Sequence, residues 1–354
     1  LALACRCTTA NFGTSIDWTG KPLKVESVTG TSLAISKLAL GGWLTFGERV
    51  AEGEAFRLLK TAVNGGINFI DLADVYGNGN AERIVGKFLK HHSRDKLIIS
   101  SKVYWPVSDD PNDRGLSRGH ILRSIDGTLR RLDTSYVDLY FCHREDPTVS
   151  LLETAEAMHM LVCEGKIRAW GTSCWRSETL RAVHTLCQSR GLEPPRVEQP
   201  PYSLLERSIE RDILPTCSDL DMATVVWSPL AGGALTGKYI GGIPTGSRAA
   251  VSHWLDDTLR PAIQEQVLAF VELCSALRRS PAAVALAWVI QQKGVTAAIT
   301  GATNSNQLLA NLESADIALD ASVRRRLDEI FPPAQPARLG RVFRAIRRRL
   351  RGQS

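Results

Sequence analysis

Residues 68 to 77 read Asn68-Phe69-Ile70-Asp71-Leu72-Ala73-Asp74-Val75-Tyr76-Gly77. The first half is a short apolar run that stops on an acid, and the second half is a polar turn that carries a tyrosine. Upstream, Ala55, Leu58, Leu59, Ala62 and Val63 recur at helical spacing, and Gly65-Gly66 punctuate the end of that helix. Downstream, Ala81, Ile84, Val85, Phe88 and Leu89 mark a second apolar face, with Asn80 as its expected N-cap. A short buried strand held between two amphipathic helices is a unit of a parallel α/β sheet, because a parallel strand needs helical cover on its outer face.

The same alternation runs outward through the chain. Lys37–Gly42, Leu97–Val103, Val137–His143, Ile167–Ser173, Arg196–Tyr202, Ala223–Leu230 and Ala297–Thr303 read as further strands, each bounded by turn residues or helix-period sequence. Eight such strands in series predict an α/β fold, a (β/α)8 TIM barrel. The competing doubly wound sheet is weakened because Gly41-Gly42-Trp43, and no GxGxxG loop, follows the first strand. Leu23–Ile35, alternating around Thr29-Gly30, reads as an N-terminal β-hairpin placed to close the bottom of the barrel.

Composition agrees with one large globular body. The 354 residues are 44% apolar and 23% charged, which excludes a disordered chain. The longest apolar stretches, Ala282–Ile290 and the broken run Val225–Leu235, fall short of the ~18 residues a membrane helix needs. The eight cysteines form no CxxC pair and no His stands at metal-ligand spacing, so reduced thiols, no metal and a cytoplasmic setting are expected. The net charge of +6 is uneven: residues 338–354 carry seven arginines and no acid, leaving −1 for the rest. A neutral body argues against nucleic acid as a partner. Division of the chain is expected at a leader (1–21), a barrel (22–332) and a basic C-terminal tail (333–354). In that tail Leu339, Val342, Phe343, Ile346 and Leu350 fall at helical spacing among arginines; a solvated or disordered tail is the expectation, and weak binding to an anionic membrane or an acidic partner is the alternative the pattern offers.

In a parallel barrel the site collects at the C-terminal ends of the strands. Asp71, Lys102 and His143 end the second, third and fourth strands, and Tyr76 lies in the loop after Asp71. A Lys beside a Tyr favours the phenolate and is expected to lower its pKa, a carboxylate holds the ammonium, and a His can hydrogen-bond a carbonyl oxygen. Tyr104, Trp105 and Trp175 follow strand ends and are expected to wall a substrate pocket.

With Phe69 to Gly77, Ser101-Lys102 and Asp138-Leu139-Tyr140-Phe141-Cys142-His143-Arg144 in place, the sequence resembles the aldo-keto reductase superfamily. Trp170-Gly171-Thr172-Ser173, Glu198-Gln199, Trp227 to Gly233, Gly237-Lys238-Tyr239 and Gly301-Ala302-Thr303-Asn304 resemble the branch that holds the voltage-gated potassium channel β-subunits and their microbial and plant relatives. The resemblance implies an oxidoreductase that uses NADP(H) to reduce a small carbonyl substrate. Tyr76 would be the general acid, Asp71 and Lys102 its tuning pair, and His143 the group that orients the carbonyl. Trp43 would flank the nicotinamide, Ser173 and Gln199 its carboxamide, and Trp227 its face. Ser228, Pro229, Leu230, Gly232 and Lys238 would follow the pyrophosphate, and Arg248, Gly301, Thr303, Gln307 and Asn311 the adenosine end. The channel β-subunits carry Asn where His143 stands, which favours a working enzyme here over the other class the branch offers, an NADPH-sensing regulatory subunit docked to a membrane channel or other partner. Three residues depart from the branch: Cys174 replaces Asn or Arg, Gly246 replaces a Tyr, and Ala310 replaces a Glu that commonly meets the adenine. An oligomer is compatible with the resemblance.

Overall fold

A computed structural model describes residue 20 and residues 22–333, residue 252 excepted. The tail's helical spacing, and most of the expected leader, lie outside the described residues.

The chain opens with β1 (Val25–Ser27) and β2 (Ala34–Ser36), paired antiparallel with Glu26 opposite Ile35. The intervening turn is closed by Val28 N–H donating to the Leu33 carbonyl at 2.9 Å and uses Gly30 at φ +74°. The barrel follows: β3 (Leu38–Gly41), α1 (Glu52–Asn64), β4 (Phe69–Asp71), α2 (Asn80–Leu89), β5 (Ile98–Val103), α3 (Arg118–Leu132), β6 (Val137–Cys142), α4 (Leu151–Cys163), β7 (Ile167–Thr172), α5 (Ser177–Arg190) and β8 (Val197–Glu198). It continues with α6 (Ile213–Asp219), β9 (Ala223–Val226), the short α7 (Arg248–Val251), α8 (Pro261–Ala276), α9 (Pro281–Ile290), β10 (Ala297–Thr300), α10 (Ser305–Leu312) and α11 (Ala321–Ile330). The strands form a closed parallel barrel in the order β10-β3-β4-β5-β6-β7-β8-β9. Closure is made by β10 on β3, with Ala298 opposite Leu38.

Period-two alternation divides the apolar residues of each strand between two cores. Ala39, Phe69, Ile98, Leu139, Phe141, Ala169, Val197, Val225 and Ala297 point inward and form one buried cluster. Their neighbours Leu38, Leu40, Ile70, Ile99, Tyr140, Val226 and Ala298 face the helices. Val28, Leu33 and Ile35 from the hairpin belong to the inward cluster, so the hairpin plugs the barrel from below. Asn68, just before β4, ties it there by donating to the Ala34 carbonyl and accepting the Ser36 N–H, both at 2.8 Å. Gly171 is required by packing: a Cβ there would stand 2.7 Å from the Phe141 ring and 2.6 Å from the Val197 carbonyl oxygen.

Two local expectations are corrected. Helix α2 is capped by Gly79 at φ +79°, and Asn80 is its first helical residue. The run Gly77, Asn78, Gly79 is left-handed throughout, which turns the chain without a side-chain cap. The sixth and seventh strands are much shorter than Arg196–Tyr202 and Ala223–Leu230, since Pro200-Pro201 and Pro229 cannot continue a ladder and Ser228 turns at φ +58°. Among the described residues no single helix is long and apolar enough to cross a membrane. The fully apolar α9 is instead buried in the outer core.

Candidate active site

A cavity of about 580 Å³ opens at the C-terminal ends of the strands. Every sequence-predicted site residue lines it except Lys102, whose side chain is wholly buried beneath.

The innermost group is a charged pair. Asp71 ends β4 and Lys102 lies in β5. Lys102 Nζ donates to Asp71 Oδ2 at 2.7 Å, to the Leu72 carbonyl at 2.7 Å and to the Tyr76 hydroxyl oxygen at 3.3 Å. Asp71 Oδ1 accepts from Ser100 Oγ at 2.8 Å and from Gln199 Nε2 at 2.9 Å. Both carboxylate oxygens therefore have hydrogen-bond partners, as a buried charge requires. Burial pulls Lys102 below the ordinary ammonium range, while Asp71 opposes that shift.

Tyr76 departs from the expectation of a lowered pKa. Burial, with the Asp71 carboxylate second, holds its hydroxyl well above the ordinary phenol range. The Lys102 charge cannot prevail, because it is spent first on Asp71. Tyr76 is thus a protonated hydroxyl at neutral pH, with an ammonium set against its oxygen. His143 packs edge-on to Tyr76 with ring centroids 6.1 Å apart. Burial, then the charges of Lys102 and Arg144, push it well below its ordinary value, so it stands as a neutral imidazole. Among the described residues its Nδ1 has no hydrogen-bond partner.

Two buried carboxyls support this arrangement. Asp74, in the turn before Tyr76, accepts from Ser124 Oγ at 2.8 Å, which in turn accepts from Tyr140. Burial raises Asp74 to about 7. Glu198, ahead of Gln199, accepts from Thr172 Oγ1 at 2.5 Å and from the Trp175 N–H at 3.2 Å, and burial raises it to about 7. A carboxyl with a folded value above its unfolded one binds its proton more tightly when folded. Its contribution to stability is complete below the unfolded value of about 4.3 and is lost as pH rises toward 7. Glu198→Gln removes that titration. Its melting temperature is expected to gain on the unsubstituted protein by about 3 °C or more between about pH 5 and about pH 8. A gap independent of pH in thermal melts would show that Glu198 is ionised throughout.

The rest of the cavity suits a long anion. Ser228, Ala231, Gly232 and Gly233 have φ of +58°, +48°, +65° and +98°. The turn is closed by Ala231 N–H donating to the Ser228 carbonyl at 2.8 Å and by Gly233 N–H donating to the Leu230 carbonyl at 2.9 Å, and a tight turn of this kind can present its remaining backbone N–H groups to a phosphate. Lys238 lies across this turn so closely that a Cβ on Gly233 would stand 2.6 Å from its Nζ. Arg248, at the start of α7, has its guanidinium 5.3 Å over the Trp43 ring, and Trp43 meets Trp227 edge to face at 6.4 Å. Burial, then the charge of Arg49, lowers Arg248 from its ordinary value. Among the described residues no carboxylate pairs with Arg49, Lys238 or Arg248. At the far side Gln307 Oε1 accepts from Thr303 N–H at 2.9 Å and Thr303 Oγ1 at 3.1 Å, and Asn311 Nδ2 donates to Thr300 Oγ1 at 2.9 Å. Thr303 therefore spends its backbone donor on Gln307. Ser173 Oγ donates to the Gln199 carbonyl at 2.8 Å, and Gln199 spends its amide nitrogen on Asp71, which leaves the Gln199 amide oxygen for a ligand.

The expected aromatic walls divide. Trp105 lines the cavity and is 40% exposed, whereas Trp175 is buried in the outer core. Sequence reading passed over two cavity residues, Arg49 and Arg144. Arg144 follows the end of β6 beside His143, so the rule that found His143 reaches it too, whereas Arg49 lies eight residues beyond β3 and is outside that rule.

A closed parallel barrel with a Tyr, Lys, Asp and His at one mouth is a barrel oxidoreductase. The sequence matches the Aldo/keto reductase family over residues 37–331, and the chain belongs to that family. It is 37% identical over 307 residues to a "Probable voltage-gated potassium channel subunit beta" of Oryza sativa subsp. japonica, covering 83% of this chain and 92% of that one. It is 34% identical to the Arabidopsis thaliana protein of the same description with the same coverage. It is also 37% identical over 312 residues to the "Uncharacterized oxidoreductase YrpG" of Bacillus subtilis, covering 85% and 94%.

Proposed function

We propose that the chain reduces aldehydes or ketones to alcohols with NADPH. The observation that carries this reading is the continuous line from Asp71 through Lys102 to the Tyr76 hydroxyl, beside a neutral His143, at one end of a cavity whose other wall is cationic.

When bound, the nicotinamide cofactor supplies the hydride. Tyr76 gives its proton to the carbonyl oxygen as charge builds there. The Lys102 ammonium, 3.3 Å from the phenol oxygen, stabilises the phenolate left behind, and Asp71 keeps that ammonium in place. The neutral His143 orients the carbonyl by hydrogen bonding to its oxygen. Trp43, Trp105 and Trp227 exclude water. The Ser228–Gly233 turn and Lys238 would hold the pyrophosphate, the Gln199 amide oxygen the carboxamide, and Arg248, Gln307 and Asn311 the adenosine end.

The added phosphate that distinguishes NADPH from NADH is assigned to Arg248. Arg248→Ala should weaken NADPH by about tenfold or more, the size of a charge-assisted contact, and NADH far less. Titration of each cofactor by fluorescence checks this, and equal weakening of both would move Arg248 to the adenine or to Trp43.

The second reading is a regulatory subunit that binds NADPH while docked to a membrane partner, and the printed description of the plant relatives favours it. Oxidation of NADPH on addition of a panel of aldehydes separates the two. Turnover supports the enzyme, and tight cofactor binding without turnover supports the regulator.

A further inference from the structure

We propose that Arg144 is a substrate-anion site, and that the carbonyl compounds selected by this pocket carry a carboxylate, which the Arg144 guanidinium holds while the carbonyl oxygen meets Tyr76 and His143. The inference rests on the proposed reductase and adds its substrate class.

Arg144 directly follows His143 beyond β6, is half-buried, and lines the cavity with its guanidinium 5.7 Å over the Trp105 ring. Its Nη1 is shared between the His143 carbonyl and Ser173 Oγ, the latter at 3.4 Å. A guanidinium has five N–H donors, so most of the fork is left for a ligand. Among the described residues no carboxylate pairs with it, although two acids follow it in sequence. Glu145 is turned to Arg176, taking its backbone N–H and its Nε at 3.0 Å. Asp146 accepts from the Leu116 N–H at 2.8 Å and from Thr148 Oγ1 at 2.6 Å. Among the described residues Asp71 is the one carboxylate lining the cavity, and both its oxygens are engaged by Lys102, Ser100 and Gln199.

The cofactor does not neutralise this charge either. In the barrel order β6 lies opposite β10, which leads to Gly301 and Asn311, so Arg144 stands across from the adenosine end. Arg49, Lys238 and Arg248, from the loops after β3 and β9, would hold the phosphates of a bound cofactor. The nicotinamide end brings no negative charge, since its ring is neutral when reduced and positive when oxidised. The field of Arg144 reaches the reacting groups, depressing His143 and countering the rise of Tyr76. A planar fork of donors against an indole wall fits a planar carboxylate held bidentate.

The test compares 4-carboxybenzaldehyde with 4-formylbenzamide, which share ring and shape and differ in charge. With NADPH, the native protein should favour the acid in kcat/KM, and Arg144→Gln should lower the acid-to-amide ratio by about 10- to 100-fold, mainly through KM. Arg144→Lys should retain part of the preference. A native ratio near unity overturns the proposal, as does an Arg144→Gln protein in which both substrates fall by the same factor. If the native protein reduces neither compound, the reductase reading fails by itself. Calorimetric titration of 4-carboxybenzaldehyde then decides the anion site: binding lost in Arg144→Gln upholds it, and equal binding in both proteins refutes it.

Discussion

Tyr76→Phe should lower carbonyl reduction by about 10²- to 10⁴-fold while the affinity for NADPH stays within a small factor of the original. The substitution removes one oxygen from a side chain that is 9% exposed and leaves its ring against His143 and Lys102. Lys102 keeps its bonds to Asp71 and to the Leu72 carbonyl, so the charged pair survives. What disappears is the hydroxyl that the proposed mechanism uses as proton donor. Steady-state rates and a cofactor titration on the same preparation check this, and a Tyr76→Phe protein that reduces aldehydes at full rate would remove Tyr76 from the mechanism.

The second large effect concerns stability as well as rate. Lys102→Met takes the ammonium from a wholly buried pair and leaves the Asp71 carboxylate facing Ser100 and Gln199 alone. Breaking a buried pair from one side costs about 3 to 5 kcal/mol. The single variant should therefore unfold at markedly lower denaturant. Lys102→Met combined with Asp71→Asn removes both charges and should recover most of that loss, since two neutral groups carry no uncompensated field. Neither protein should recover reduction, because both lack the ammonium beside the Tyr76 oxygen. Denaturant unfolding of the two variants against the native chain, with rates alongside, separates the pair's structural part from its chemical part. A double variant as unstable as the single one would show that packing of the Lys102 stem, and not charge balance, governs the site.

The strand ends that carry Asp71, Lys102 and His143 were legible in the sequence because short apolar runs ending on a polar residue leave little freedom in a parallel barrel. Residues that depend on which way a side chain turns were less so. Nothing in Trp175 distinguishes it from Trp105, yet one is core and the other a cavity wall. The shortness of β8 and β9 was written in Pro200, Pro201 and Pro229, whose lack of an N–H outweighs the apolar residues around them. The shift of Tyr76 could not be read at all. It follows from burial and from the order in which Asp71 and Tyr76 share one ammonium, and both are properties of the packed site. Arg144 was visible beside His143, but its lack of a carboxylate is a matter of where Glu145 and Asp146 point.

Barrel closure joins Leu38 to Ala298, nearly the two extremes of the described chain. The cavity draws Trp43 and Asp71 from the first strands and Gly301 and Asn311 from beyond the last, so both its ends come together only when that final seam zips. Contacts so distant in sequence form late and slowly. A nascent chain still missing its last strand has no complete ligand site to offer, however well its earlier βα units have condensed. A ligand bound in this cavity would therefore stabilise only molecules whose final seam has closed.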